Sequence, residues 1–293
     1  MNADRWTADR IPDLSGRIIV VTGAGSGLGL VTARTLRERG ARVIAAVRRP
    51  EEHPGEARRL DLADLDSVHE FAGRMHDEHH RIDVLINNAG TMATPYALTP
   101  QGHELQFATN HLGHFALTGL LFDLLRSGRD PRVVTVTSVN HRGARLPFEE
   151  ARRYQPMAVY NTTKLANAIF GAELHRRLTD AGSPIRSILA HPGYTATNLQ
   201  FRATTPAWRF LLGRIGNPLL AQSADRGALP QLYAATDPAA RAGALIVPDG
   251  PGELRGHPVE GRLSAAAADP DNGRRLWELS EQATGVRLTC AAS

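Results

Sequence analysis

The sequence predicts a doubly wound α/β (Rossmann) fold: a mostly parallel seven-stranded sheet with helices on both faces, in three α/β/α layers. Three observations carry that expectation. Short, wholly apolar runs such as Ile18–Val21 and Ile82–Ile86 recur along the chain, as strands covered on both faces require. Longer stretches of helical periodicity alternate with them. The first apolar run leads through a glycine-rich turn directly into the first helical stretch.

Residues 1–16 form a lead-in arm, Ile18–Val21 a first strand, Leu28 to Arg39 a helix ended by Gly40, and Arg42–Val47 a second strand. Between strand and helix stands Thr22-Gly23-Ala24-Gly25-Ser26-Gly27-Leu28-Gly29. Glycines here let the main chain turn sharply and approach a pyrophosphate, which rests on the free N–H groups of the helix N-terminus. Gly23, Ser26, Gly27, Leu28 and Gly29 are therefore candidate dinucleotide contacts, although the spacing is TGxxxGxG rather than GxGxxG and a ligand-free βα turn is the plain alternative. An NAD site usually places an acid about 20 residues past the glycines to accept the ribose 2′-hydroxyl. Here the position falls on Arg48-Arg49, with no acid before Glu51, and a guanidinium suits a 2′-phosphate. NADP(H) is thus preferred over NAD(H), through Arg48, unless either arginine is only surface charge.

Arg58–Leu60 reads as a third strand ending in Asp61 and Leu62, which are placed at the adenine edge. Leu65, Val68, Phe71, Ala72 and Met75 give the following helix its apolar face. Ile82–Ile86 is a fourth strand, with Asn87-Asn88-Ala89-Gly90 at its carboxyl end, where ligands gather in open α/β sheets. One long helix is expected from Glu104 to Arg126, containing Asn110, His111 and His114. No carboxylate or thiol set accompanies the two histidines, so helix packing or hydrogen bonding is preferred to metal ligation. Asn110, polar in a burying helix, needs partners.

Arg132–Thr137 is a fifth strand with Ser138 at its end. Val159–Phe170 reads as a buried helix that presents Tyr160 and Lys164 on one face, one turn apart. A phenol ionises near pH 10 and is a poor acid–base group at neutrality. An adjacent ammonium favours the phenolate and lowers that pKa, which makes the pair a candidate for proton transfer. Ile185–Ala190 is a sixth strand followed by His191-Pro192-Gly193-Tyr194-Thr195-Ala196-Thr197. Residues 194–222 suit a segment covering a substrate site, or an ordinary surface helical hairpin. A helix from Ser223 through Ala235, a seventh strand at Ala244–Val247, a surface loop over 248–268 and a helix from Asp269-Pro270 through Trp277 complete the chain. With no repeat or linker, one domain spanning residues 1–293 is expected, with a C-terminal extension from about 248.

Hydrophobic residues at 42% and charged residues at 22% are globular values. The net charge is +4 with a pI of about 9.7, yet no Lys/Arg run follows a nucleic-acid backbone, so nucleic acid is not expected as a partner. Cys290 is the single cysteine, which excludes an internal disulfide and fits a reducing cytoplasm. No apolar run approaches the ~18 residues of a membrane span, and the polar start lacks a secretory core, so a cytoplasmic location is expected.

Taken together, Thr22–Gly29, Asp61, Asn87–Gly90, Asn110, Ser138, Tyr160 with Lys164, and Pro192-Gly193 with Thr197 resemble the short-chain dehydrogenase/reductase family across residues 15–247. LINNAG, NHLGHFALT, TKLAN and RRLWELS are similar to its retinol dehydrogenase-like branch, and TGAGSGLG also to protochlorophyllide reductases. The segment 198–222 departs from membrane-bound relatives in being less apolar, and Thr163 stands where Ser is common. The resemblance implies an NAD(P)-dependent enzyme interconverting a carbonyl and an alcohol on a fairly apolar small molecule. Tyr160 would be the general acid, Lys164 would lower its pKa and hold the nicotinamide ribose, Ser138 would orient the substrate oxygen, and Asn110 would complete a proton relay. Further cofactor contacts are implied at Asn88, Ala89, Gly90, Tyr160, Lys164, Pro192, Gly193, Thr195 and Thr197, and substrate contacts at Asn140 and Tyr194. Association of the long helices into a homodimer or homotetramer is implied as well. The alternative is a non-catalytic NADP(H)-binding sensor on the same fold, whose mark would be loss of the tyrosine or lysine; both are present.

Overall fold

The computed structural model describes residues 5–144, 154–195 and 222–290. The strands are β1 Ile18–Thr22, β2 Arg42–Val47, β3 Ala57–Arg59, β4 Val84–Asn87, β5 Arg132–Val136, β6 Arg186–Ala190, β7 Leu245–Pro248 and β8 Pro258–Gly261. They form one sheet in the order β3-β2-β1-β4-β5-β6-β7-β8. Every pairing is parallel except β7 with β8. The chain reverses between β1 and β4, and the crevice at such a reversal is where open α/β sheets take their ligands.

The sheet has eight strands rather than the expected seven. The extra one, β8, lies inside the Gly/Pro/Ala-rich stretch read as a loop. Its Pro258-Val259-Glu260-Gly261 carries no apolar run, because β8 is an antiparallel edge strand half open to water.

Alternate strand residues feed two separate cores. Ile19, Val21, Val43, Ala45, Ile86, Val134 and Ile188 face α1 Gly27–Glu38 and the arm residues Trp6, Ile11 and Leu14. The arm is pinned by Trp6 Nε1, which donates to Asp237 Oδ2 at 2.6 Å, and by an edge-on Trp6–Tyr233 contact. Val20, Ile44, Leu85 and Val133 face the opposite layer, which contains α2 Leu65–Glu78.

The long helix expected over Glu104–Arg126 is broken. A single turn at Leu105–Phe107 (α3) runs into a π-turn over Ala108–Leu112, then α4 Gly113–Leu120 and α5 Phe122–Arg126. Gly113 N–H reaches back five residues to the Ala108 carbonyl, and such wide turns concentrate at functional positions. The Tyr160 helix, α6, is longer than expected and spans Pro156–Asp180. Proline at its first position fits, because the missing N–H would be unpaired there anyway. Two short helices, α7 Ala224–Gly227 and α8 Leu229–Thr236, replace the one expected from Ser223. After β8 come α9 Ala265–Ala268 and α10 Pro270–Thr284, the last capped by Gly285 with φ 69°.

Helix α10 lies across α4 and α6. Trp277 stacks on Phe170 and meets Phe115 edge-on, and Arg177 sits 4.3 Å over its ring. The surface of the two helices expected to pair with a second copy is, over this stretch, filled by the chain's own C-terminal helix. Inside the contact, His111 Nε2 stands 2.8 Å from Ser280 Oγ, which donates to the Leu276 carbonyl at 2.7 Å. The serine proton is thus spent on Leu276, so His111 is the donor between the two. Ser280→Ala leaves a buried imidazole N–H unpaired and should cost about 1–2 kcal/mol of unfolding free energy, measured by denaturant titration. No helix among the described residues is long and apolar enough to cross a membrane.

Candidate active site

Most of the residues singled out in the sequence lie at or beside the carboxyl ends of β1, β4, β5 and β6. Thr22, at the end of β1, organises the first two. Its hydroxyl accepts from Asn88 N–H at 3.0 Å and Ala89 N–H at 2.9 Å, while Asn88 Nδ2 donates to the Thr22 carbonyl at 2.8 Å. The glycine turn is thereby sewn to Asn88-Ala89-Gly90. Its glycines are required by geometry: Gly23 and Gly27 have φ of 68° and 54°, and a Cβ on Gly29 would lie 2.6 Å from Asn88 Nδ2. Ser26 caps α1 without a side-chain hydrogen bond of its own, so the amides of that helix N-terminus are presented by an open turn. Such a cradle fits a dinucleotide pyrophosphate.

Asn110 lies in the π-turn, fully buried. Its Oδ1 accepts from Thr91 N–H at 2.7 Å, and Nδ2 donates to the Thr91 carbonyl and to Thr163 Oγ1, each at 2.9 Å. Thr163 in turn donates to the Tyr160 carbonyl at 2.7 Å. The hydroxyl is what this position uses, and threonine in place of the more common serine keeps it. A Cβ on Gly90 would stand 3.3 Å from Asn110 Oδ1 and 3.6 Å from Lys164 Nζ, so Gly90, Asn110 and Lys164 meet.

Lys164 is buried on α6, its ammonium 3.3 Å from the Val136 carbonyl and 5.8 Å from the centre of the Tyr160 ring. Thr137 Oγ1 donates to the Lys164 carbonyl at 2.7 Å and holds this turn of α6 against the end of β5. Ser138 caps the turn Val139–Arg142, where its Oγ accepts from Asn140 N–H at 3.3 Å and also hydrogen-bonds the Tyr160 hydroxyl. Ser138, Tyr160, Lys164 and Asn110 therefore stand around one point.

The electrostatics differ from the expectation. Burial pushes the Tyr160 hydroxyl up to about 12, with the Ser138 hydrogen bond opposing, and pushes Lys164 down to about 8. Loss of hydration disfavours the charged form of both groups, and the ammonium turns toward Val136 rather than toward the phenolic oxygen. Its pull on the phenol is not the dominant influence in this cleft.

At the β6 end, Thr195 Oγ1 donates to the Pro192 carbonyl at 3.0 Å, and Gly193 has φ 70°. Gly227 is wedged between Thr195 and Leu28, which brings this turn beside the start of α1. Tyr194 N–H donates to the Leu254 carbonyl at 2.8 Å. Thr197, and the larger part of the covering segment 194–222, lie outside the described residues.

Other candidates stand further out. Arg48 is exposed at the end of β2, next to Val47, which approaches Gly25; Arg49 is instead tied to Glu52 at 2.7 Å. Asp61 Oδ1 accepts from Ala63 N–H at 3.0 Å, and Leu62 is buried, its carbonyl packed against Gly113. Asn140 spends its amide on Asn161 Oδ1 at 2.9 Å rather than on the cleft.

The sequence assigned His114 to helix packing or hydrogen bonding but did not pair it with Thr22. His114 Nδ1 lies 3.0 Å from the Asn110 carbonyl and Nε2 lies 2.9 Å from Thr22 Oγ1. A carbonyl only accepts, so Nδ1 carries the proton and Nε2 accepts from Thr22. Burial pushes His114 down to about 4, in keeping with a neutral ring. The signal was a polar side chain four residues past Asn110 in an otherwise apolar run. His111 and His114 thus serve as hydrogen-bonding residues within the helix layer.

A family model described as short chain dehydrogenase matches residues 17–207. Human retinol dehydrogenase 13 is 34% identical, covering 93% of this chain and 86% of that protein. Mouse retinol dehydrogenase 14 is 35% identical over 93% of this chain and 87% of its own length. Among solved structures, an uncharacterised protein from Mycobacterium paratuberculosis is 42% identical with a TM-score of 0.80, covering 97% of this chain and 99% of that one. The RhlG/NADP active-site complex of Pseudomonas aeruginosa is 25% identical with a TM-score of 0.65, over 83% and 98% of the two chains. With the cleft geometry, these likenesses establish the chain as a member of the short-chain dehydrogenase family, in its retinol dehydrogenase-like branch: an oxidoreductase of carbonyl and alcohol groups that uses a nicotinamide cofactor.

Proposed function

We propose that the chain is an NADP(H)-dependent carbonyl reductase or alcohol dehydrogenase acting on a fairly apolar small molecule, with Tyr160 as general acid and base. The observation that carries this reading is the meeting of Ser138, Tyr160, Lys164 and Asn110 beside Gly90. The sheet order β2-β1-β4-β5-β6 lays Arg48, the glycine turn, Asn88–Gly90, Ser138 and Pro192–Thr195 in a row across the carboxyl ends. Arg48 would hold the 2′-phosphate of a dinucleotide lying along that row, and Tyr160 and the β6 turn would flank its nicotinamide.

The bound nicotinamide supplies or accepts the hydride. The protein's part is the proton and the alignment. Tyr160 gives its hydroxyl proton to the carbonyl oxygen in the reductive direction. Ser138, already bonded to that hydroxyl, orients the same oxygen. Lys164 stabilises negative charge that develops on the phenol only as the proton leaves, which is where a fixed cation lowers a barrier. The Asn110 carbonyl, which accepts from His114 Nδ1, would also hold a relay water behind Lys164. Turnover is tested by NADPH oxidation over a panel of aldehydes, ketones and quinones. Tight NADPH binding without turnover on any of them overturns the enzymatic assignment.

NADP(H) preference rests on Arg48, after which the sequence has no acid before Glu51, and on the NADP named for the RhlG complex. Arg48→Ala should weaken NADPH by about tenfold or more, about 1.4 kcal/mol, and NADH hardly at all, in parallel fluorescence titrations. Equal weakening of both would count against a 2′-phosphate contact. The apolar substrate class draws on the retinol dehydrogenases, named for an apolar alcohol. The remaining parts of this reading are one domain over residues 1–293, a covering segment near 194–222, and a cytoplasmic location. A homodimer or homotetramer would have to form outside the surface that α10 fills, and light scattering reads its mass.

A further inference from the structure

The loop joining β7 to β8, expected to be a featureless surface stretch, is tied to both turns that flank the reaction centre. Arg142, four residues past Ser138, donates through Nη2 to Glu253 Oε1 at 2.6 Å and to the Arg262 carbonyl at 3.1 Å. The next residue, Leu254, accepts Tyr194 N–H at 2.8 Å through its carbonyl, and Gly193 has no room for a Cβ against that same oxygen. Gln222 adds a second tie: Nε2 donates to the Pro192 carbonyl at 2.7 Å, and Oε1 accepts Gly256 N–H at 3.4 Å. One dipeptide, Glu253-Leu254, thus grips the Ser138 turn with a side chain and the Pro192–Thr195 turn with its main chain.

The backbone at this grip is strained. Gly252 and Glu253 are consecutive left-handed residues, with φ of 62° and 59°. Glycine suits that conformation, and glutamate there is an outlier of the kind that surrounding structure must hold in place. The Glu253 carboxylate is mostly buried, and among the described residues its Oε2 has no hydrogen-bond partner. A glycine would fold this turn more easily. Its replacement by a half-buried acid points to a use for the carboxylate.

We propose that Glu253 is a positioning residue: clamped to Arg142, it holds the Ser138 turn and the Pro192–Thr195 turn in one relative setting, and so keeps the nicotinamide half of the cleft in register with the proton-donating side. The proposal rests on the dinucleotide reading given above. A misplaced positioning element far from the chemistry can cost up to about 10²-fold, and the binding of the half it positions suffers first.

Glu253→Gly separates positioning from folding, because it removes the carboxylate while relieving the left-handed strain. We expect it to melt at or above the wild-type temperature and to bind NADPH about tenfold more weakly by fluorescence titration. Binding of 2′-phospho-ADP-ribose, which lacks the nicotinamide, should stay within about twofold by calorimetry, because its contacts lie toward β1 and β2. Arg142→Ala should reproduce both binding results, and the double variant should bind no worse than either single one. Glu253→Gln, which keeps an oxygen for Arg142, should recover most of the NADPH affinity. Unchanged NADPH binding in Glu253→Gly and Arg142→Ala overturns the proposal. So does equal weakening of both ligands, or a Glu253→Gly protein that melts well below wild type, since each marks a merely structural strap. A wild-type protein that binds neither ligand would instead overturn the dinucleotide reading itself.

Discussion

Replacing Tyr160 by phenylalanine is expected to lower turnover by at least two orders of magnitude while leaving NADPH affinity nearly unchanged, since general acid–base terms are of order 10²–10⁴. The substitution removes one oxygen from a ring that is otherwise packed, so no cavity forms and the helix keeps its place. What is lost is the proton that must reach the substrate oxygen as hydride arrives, together with the acceptor for Ser138. Steady-state kinetics on any substrate from the panel, with NADPH affinity from fluorescence, separates the two. A Tyr160→Phe enzyme that keeps a third of the normal rate would sink the assignment of Tyr160.

Lys164→Met should move activity and stability in opposite directions. Turnover is expected to fall by about 10²-fold or more, because a preorganised charge next to the reacting groups is lost. The cofactor-free protein should become more stable near pH 7. Burial holds Lys164 at about 8 against an ordinary 10.5, and that gap corresponds to on the order of 3 kcal/mol spent in keeping a charged ammonium in the fold. Methionine keeps the apolar stem, and the Val136 carbonyl retains Asn167 Nδ2 as a donor at 3.2 Å.

The sign with pH follows from the direction of the shift. Because the folded-state value is depressed, the unfolded chain binds the extra proton between about pH 8 and 10.5, and wild-type stability rises with pH across that window. The advantage of the variant should be full below about pH 8 and gone by about 10.5. Tyr160, raised above its ordinary 10 to about 12, costs stability as pH climbs from 10 to 12, but in both proteins alike. Melting curves of the two proteins at pH 7 and pH 10 check this. A variant less stable than wild type at pH 7 would show that the ammonium is satisfied in the fold.

Much of the architecture was legible without coordinates because parallel strands buried on both faces leave continuous apolar runs. Ile18–Val21, Arg42–Val47 and Ile185–Ala190 announce themselves within a residue or two. The glycine turn was legible because positive φ and close approach leave few other residues possible. Tyr160 and Lys164 were legible because helical spacing puts them on one face. By contrast, β8 escaped notice because an exposed antiparallel edge needs no apolar run. The break in the Asn110 helix escaped because a π-turn inserts one residue without changing local composition.

The sequence by itself determined which strands and turns form, and which residue types stand at their ends, since these follow from local periodicity and from steric limits on φ. Only the tertiary structure decided what the site residues feel and which distant groups hold them. The phenol and the ammonium are both driven toward neutrality because the fold removes their water. Thr22 is joined to His114, and Arg142 to Glu253, because packing brings together residues far apart in the chain. Desolvation and long-range contact are properties of the assembled chain, and no stretch of residues carries them alone.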